Sequence, residues 1–269
     1  MTYEQYTTFK VKVQRGIARV MFDNPPVNLI TPKMVEELHD FTHEVSADDN
    51  VKVIIFESAD PDIYLAHYDV GELNEFPDDP GPKSSSLNPF VAVQENLRTI
   101  PKATIAKIEG ICRGGGSEFV LALDMRFGAI GKCVLGQSEV MVGIIPGGGG
   151  TQRLSRLMGR SRALEIVLSG MDLNAEQAEK YGYINRALTP KELTKFVKNL
   201  ANRIAAVPLE TIAIAKKSVL NAFEMPIIEG LLEESHLFAK AAALPESKER
   251  MNKYLKLNGQ SRGVETTKR

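Results

Sequence analysis

Residues 112–124, CRGGGSEFVLALD, set three consecutive glycines at the start of an apolar helical run. Glycine is a poor residue with which to begin a helix, because it gives up the most backbone freedom on folding. Three together imply one of two things. The junction is a tight strand-to-helix connection that requires positive φ, or its backbone must be approached closely by something else. In the second case bare N–H groups at a helix N-terminus, helped by the dipole, suit a developing oxyanion. The triplet is no phosphate cradle of a known pattern. No Gly-Lys-Ser/Thr follows it, and the last position of G-x-G-x-x-G falls on Phe119. The second glycine run, Gly147–Gly150, fails the same test at Arg153.

The sequence before the junction reads as strands. FKVKV (9–13) and IARVMF (17–22) alternate apolar and polar residues about an Arg15-Gly16 turn. Thr31 is placed as an N-cap with Pro32 at the first helical position. The helix it opens runs to about Val45 and keeps Val35, Leu38, Phe41 and Val45 on one face. VKVIIFES (51–58) and ATIAKIEG (103–110) read as buried strands, with MRFGAI and CVLG as further candidates after the glycines. A helix is predicted from Phe90 to Thr99. The preceding FPDDPGPKSSSLNP (76–89) is a loop placed to lie over a site. From Gly150 onward nearly everything reads as helix: 151–158, 161–168, 174–181, 191–206, 209–222, 227–243 and 246–257. An α/β core with a helical extension follows, with no internal repeat beyond strand–helix alternation.

Composition excludes several function classes. A chain that is 43% hydrophobic and 25% charged, with net charge -1, has no basic excess for nucleic acid or a membrane surface. No apolar run approaches the ~20 residues that span a bilayer, and MTYEQYTTFK has no leader pattern. Cys112 and Cys133 lack CxxC spacing and are expected to be buried, reduced thiols of a cytoplasmic protein.

Two carboxylates stand beside the glycine runs. Glu118, taken alone, is a first-turn acid favoured by the helix dipole, and Glu139 alone is a surface loop residue. Together, each next to exposed glycine backbone, they point to paired acid–base work on a bound water. Ser117 has no hydrolase pattern around it and is expected to cap or pack. HDFTH (39–43) has zincin-like spacing with Asp40 in place of Glu. It lies off the apolar face and reads as an incidental solvated pair, so no metal is expected.

AKIEGICRGGGSEFVLALDMRFGA, CVLGQSEVMVGIIPGGGGTQRL and GRSRALEIVLSGMDLNAEQAEKYGYINRAL resemble the crotonase, or enoyl-CoA hydratase/isomerase, superfamily. The similarity extends from NPPVNLI to the C-terminal helices. The resemblance implies an α/β spiral of ββα units over residues 1–205, holding an acyl-CoA site. A helical region over 206–269 would assemble homotrimers or homohexamers. By position, Tyr68 and Gly115 would supply the two N–H groups of an oxyanion hole for a thioester oxygen. Glu118 would activate water and Glu139 would exchange the α-carbon proton, with the Gly147 N–H placing the water. His67, which is not part of the family pattern, is placed as a water- or substrate-positioning residue, an extra acid–base role ranking below packing or loop support. Val27, Ala66, Asp69 and Tyr254 would contact coenzyme A, which arrives as part of the substrate, with no permanently bound cofactor. Having both carboxylates favours hydration of a 2-enoyl-CoA. Isomerisation or another enolate step on a specialised acyl-CoA is the alternative, and a non-catalytic acyl-CoA-binding protein ranks last. Ala66-His67-Tyr68-Asp69 departs from the family's usual A-G-A-D. The N–H survives, but the larger side chains should reshape the thioester and acyl pocket. Tyr254 is followed by Leu257 where the family often has Lys, although Lys253 and Lys256 flank it.

Overall fold

The computed structural model describes residues 2–79 and 81–266. The chain divides into a first compact unit, Met1–Ala206, and a second, Val207–Arg269.

The first unit begins with the expected hairpin, β1 (Phe9–Gln14) and β2 (Ile17–Phe22), paired antiparallel. Arg15 and Gly16 both take positive φ, 52° and 79°, as a two-residue hairpin turn demands. Helix α1 (Pro32–Ala47) starts where predicted: Thr31 accepts the Met34 N–H, and Val35, Leu38, Phe41 and Val45 are buried. From there the chain repeats one motif three times. A strand is followed by a three-residue strand and then a helical segment: β3 (Val53–Ser58), β4 (Ile63–Leu65), α2 (Val70–Asn74) and α3 (Pro89–Thr99). Next come β5 (Ala103–Ile108), β6 (Ile111–Arg113) and α4 (Gly114–Ala122). The third round is β7 (Met125–Ala129), β8 (Val134–Gly136), a 3-10 turn (Glu139–Val142) and α5 (Gly150–Met158).

Each round adds one parallel strand to each of two sheets. The large sheet runs β1-β2-β3-β5-β7-β10 and the small one β4-β6-β8-β9. The rest of the unit is α6 (Arg160–Ser169), β9 (Asp172–Asn174), α7 (Ala175–Tyr181), β10 (Arg186–Leu188) and α8 (Pro190–Ala205). The ββα spiral thus takes the form the resemblance implied. Strands β9 and β10 fall in the gaps between the predicted helices, β9 reaching one residue into the helix read over 174–181, and neither these two nor β4 and β6 were anticipated. Three-residue strands are too short to show a period.

The glycine triplet also differs from expectation. It is the first turn of α4 itself, with Arg113 at the N-cap, and only Gly114 has positive φ, 48°. Ser117 is therefore inside the helix. Its buried Oγ lies 2.5 Å from the Tyr183 hydroxyl, so it packs and does not cap. Phe119 anchors α4 in the core, its ring 5.1 Å from Phe56 and 5.6 Å from Phe22. Cys112 and Cys133 are free and buried, as expected, and burial pushes the Cys133 thiol up to about 12.

The second unit is helical: α9 (Leu209–Asn221), α10 (Ile227–Ala243), α11 (Pro245–Lys256) and α12 (Arg262–Glu265). Among the described residues no helix is long and apolar enough to cross a membrane.

Candidate active site

The small sheet positions the site. Strands β4, β6 and β8 are neighbours and parallel, with Leu65 beside Cys112 and Cys112 beside Leu135. The chain leaving their C-terminal ends must therefore converge, and those exits are Ala66–Tyr68, Gly114–Gly116 and Gln137–Glu139. Ligands of parallel sheets commonly sit beyond such strand ends.

Each glycine of the triplet meets this convergence differently. A side chain on Gly116 would run into the carbonyls of Leu65 and Ala66, so only glycine lets α4 start against the β4 exit. A Cβ on Gly115 would stand 3.0 Å from the Tyr68 nitrogen, which brings the backbones of Gly115 and Tyr68 side by side. One on Gly114 would be 3.2 Å from both Glu139 Oε1 and the His67 Cβ. Gly115 lies in the first turn of α4, where N–H groups have no acceptor within the helix.

The loop carrying Tyr68 is held by backbone bonds. Ala66 N–H donates to Asn28 C=O at 3.0 Å, Ile30 N–H to His67 C=O at 3.2 Å and Asp69 N–H to Ile30 C=O at 3.0 Å. Asp69 also caps α2, its Oδ1 accepting from Gly71 N–H. Val27 is half-buried in the turn beside Asn28, whose side chain is tied to Ser58 Oγ at 2.9 Å. The His67 side chain is exposed, with Nδ1 2.8 Å from the Tyr68 C=O. A carbonyl only accepts, so Nδ1 carries a proton, which leaves Nε2 as the nitrogen that can gain or lose one. The Tyr68 ring lies 6.0 Å from that of Phe90. Burial, with Glu72 and Asp69 nearby, raises the Tyr68 phenol.

Glu118 is the fifth residue of α4, not a first-turn acid, and it is buried. The N-terminus that holds it belongs to α5: Gly148 N–H and Gly150 N–H each donate to its Oε1 at 2.8 Å. Burial raises its pKa, against the opposing pull of those two bonds and of Arg153. Arg153 grips the same loop. Its guanidinium donates to Gly148 C=O at 2.9 Å, Gln94 Oε1 at 2.6 Å and Glu95 Oε1 at 2.7 Å. Side chains on Gly148 and Gly149 would fall on the Glu118 carboxylate and the Arg153 guanidinium respectively. Gly148, Gly150 and Arg153 were not singled out for the site from sequence. The useful signal was the glycine run directly preceding a helix, whose N-terminus needs an anion or a cap. Gly147 is exposed, and its carbonyl takes a 3.4 Å bond from Asn88 Nδ2.

Glu139 opens the 3-10 turn, and both its carboxyl oxygens are buried without a hydrogen-bond partner among the described residues. Burial raises its pKa to about 7, and the Glu118 charge adds to the rise. Tyr254 lies on α11 in the second unit, its carbonyl accepting from Gly259 N–H at 2.9 Å. The structure thus brings Tyr68, His67, Gly114, Gly115 and Glu139 together, with Glu118 on the same helix as the glycines. His39 and His43 are exposed, with Nε2 atoms 3.2 Å apart. Among the described residues no group of three or more His, Cys, Asp or Glu is placed to hold a metal.

A parallel spiral whose strand ends present glycine backbone and two carboxylates defines a class. Residues 12–259 match the model of the enoyl-CoA hydratase/isomerase family, and the chain belongs to that family. A Streptomyces avermitilis protein assigned as an enoyl-CoA hydratase is 42% identical in its crystal structure. The likeness covers 97% of this chain and 95% of that one, with a TM-score of 0.74. The Geobacillus kaustophilus enoyl-CoA hydratase superimposes with a TM-score of 0.87 at 27% identity, over 94% and 95% of the two chains. The short-chain-enoyl-CoA hydratase of Clostridium acetobutylicum is 28% identical over 89% of this chain and 91% of its own.

Proposed function

We propose that the protein is an enoyl-CoA hydratase, adding water across the double bond of a 2-enoyl-CoA. The observation that carries this is the approach of Gly115 to the Tyr68 nitrogen, with Glu139 against the adjacent Gly114. Two N–H groups there receive the thioester oxygen and stabilise the charge that builds on it as water adds at the β carbon. Glu118, held through one oxygen by the α5 N-terminus, uses its other oxygen to orient and deprotonate the water. Glu139, with a pKa of about 7, carries its proton near neutrality and delivers it to the α carbon. Coenzyme A arrives as part of the substrate, with Val27, Ala66 and Asp69 as its contacts, and the enzyme needs no resident cofactor. Gly147 helps to place the water.

The second unit is the region of assembly into a homotrimer or homohexamer, supported by exposed apolar side chains on α10: Ile227, Ile228, Leu231, Leu232 and Phe238. Two buried free thiols suit a reducing compartment such as the cytoplasm. The bulk of His67 and Tyr68 beside the oxyanion position favours a second reading, isomerisation or another enolate step on a specialised acyl-CoA. A panel of 2-enoyl- and 3-enoyl-CoAs, with products weighed by mass spectrometry, decides. Hydration adds one water to the mass. A product of unchanged mass from 3-enoyl substrates alone supports isomerisation, and tight binding without turnover supports a non-catalytic acyl-CoA carrier.

A further inference from the structure

Hydration leaves the proposed site in the wrong protonation state for another turnover. Glu118 has gained the proton from water, and Glu139 has lost its own to the α carbon. Resetting the pair removes one proton from Glu118 and returns one to Glu139. Both oxygens of Glu139 are covered by protein and accept no bond from another residue among those described, so a side chain beside it can serve as the route for its proton. His67 is placed for this. Its Cβ and Glu139 Oε1 lie equally close to one point beside Gly114, while its imidazole is exposed. The bond from Nδ1 to the Tyr68 carbonyl orients the ring and leaves Nε2 to gain or lose a proton.

We propose that His67 is a proton relay between solvent and Glu139, an inference that rests on the hydratase reading above. Nε2 takes a proton from water or buffer and passes it to the Glu139 carboxylate through one water, and the imidazole returns to neutral. Glu118 gives its surplus proton to the next water that enters, so that the two transfers balance. No oxidant, metal or further reactant takes part. Because the Tyr68 N–H is backbone, replacing His67 leaves the oxyanion donor in the chain. The loop is held independently by bonds from Ala66, Ile30 and Asp69 N–H groups.

The test is steady-state hydration by wild type, His67→Ala and His67→Gln at minimal buffer, repeated with added imidazole. The relay predicts that kcat falls about 10-fold or more in both variants while KM changes less than about 2-fold. Added imidazole should restore the alanine variant and leave wild type unaffected. Glutamine can still donate to the Tyr68 carbonyl but cannot shuttle a proton. Full activity in His67→Gln without imidazole would reduce His67 to a loop tether and overturn the proposal. So would an alanine variant as fast as wild type at every buffer concentration. If wild type hydrates no 2-enoyl-CoA, the hydratase reading itself has failed, which these variants do not decide.

Discussion

Two glutamates of the same chemistry sit in different surroundings. Glu118 accepts two backbone N–H bonds and feels Arg153, whereas Glu139 is half-buried, its carboxyl oxygens covered with no compensating donor from another residue among those described. That difference divides the labour between water activation and proton delivery. It also fixes the sign of two pH effects. Glu139 holds its proton more tightly folded than unfolded, so its contribution to stability is complete below the ordinary carboxylate range. It is lost as pH rises towards about 7. Glu139→Gln removes that ionisation. It should therefore gain ~1–2 kcal/mol over wild type at pH 8 and nothing at pH 4, the full shift being discounted for partial exposure. Urea unfolding at the two pH values measures this, and an equal difference at both would show that Glu139 ionises normally. In catalysis the protonated form is the donor, so the hydration rate should fall as pH rises through about 7.

At the scale of elements, the site is a joint between α4 and α5. One helix carries Glu118 and the other receives it, and Arg153 ties the receiving loop to Gln94 and Glu95 of α3. Gly148→Ala tests the joint, because its Cβ would displace the Glu118 carboxylate and press on Phe90. We expect kcat to fall about 100-fold, as for a misplacement near 1 Å, while the thermal midpoint moves only a few degrees because the displaced carboxylate is a side-chain tip. Activity within a few-fold of wild type would mean that the water is not held from this side. Helices α1 and α3 to α11 were legible in the sequence, where capping residues and apolar stripes speak locally. The pairing of Glu118 with α5 was not, because a glutamate four residues into a helix does not reveal which neighbour it will reach. The triplet's three distinct duties were hidden for the same reason. Each is set by Leu65–Tyr68, a segment far away in sequence.

At the scale of the molecule, the ββα repeat is what assembles the site, by laying three strand ends side by side. Its strand–helix alternation was visible, and CVLG marked β8, but the repeat was not, since β4 and β6 have three residues each and no period to display. Family resemblance supplied what periodicity lacked: the spiral, and the neighbourhood of Tyr68 and Gly115, whose backbones lie side by side. The central claim is that this one site adds water to a conjugated thioester with two carboxylates. The most direct measurement is the loss of enoyl-thioester absorbance on mixing a short 2-enoyl-CoA with wild type, Glu118→Gln or Glu139→Gln. The account predicts rapid loss with wild type and a rate lower by at least about 100-fold in each variant, with folding intact. Wild-type rates in both variants, or no loss of absorbance with wild type across chain lengths, would contradict it.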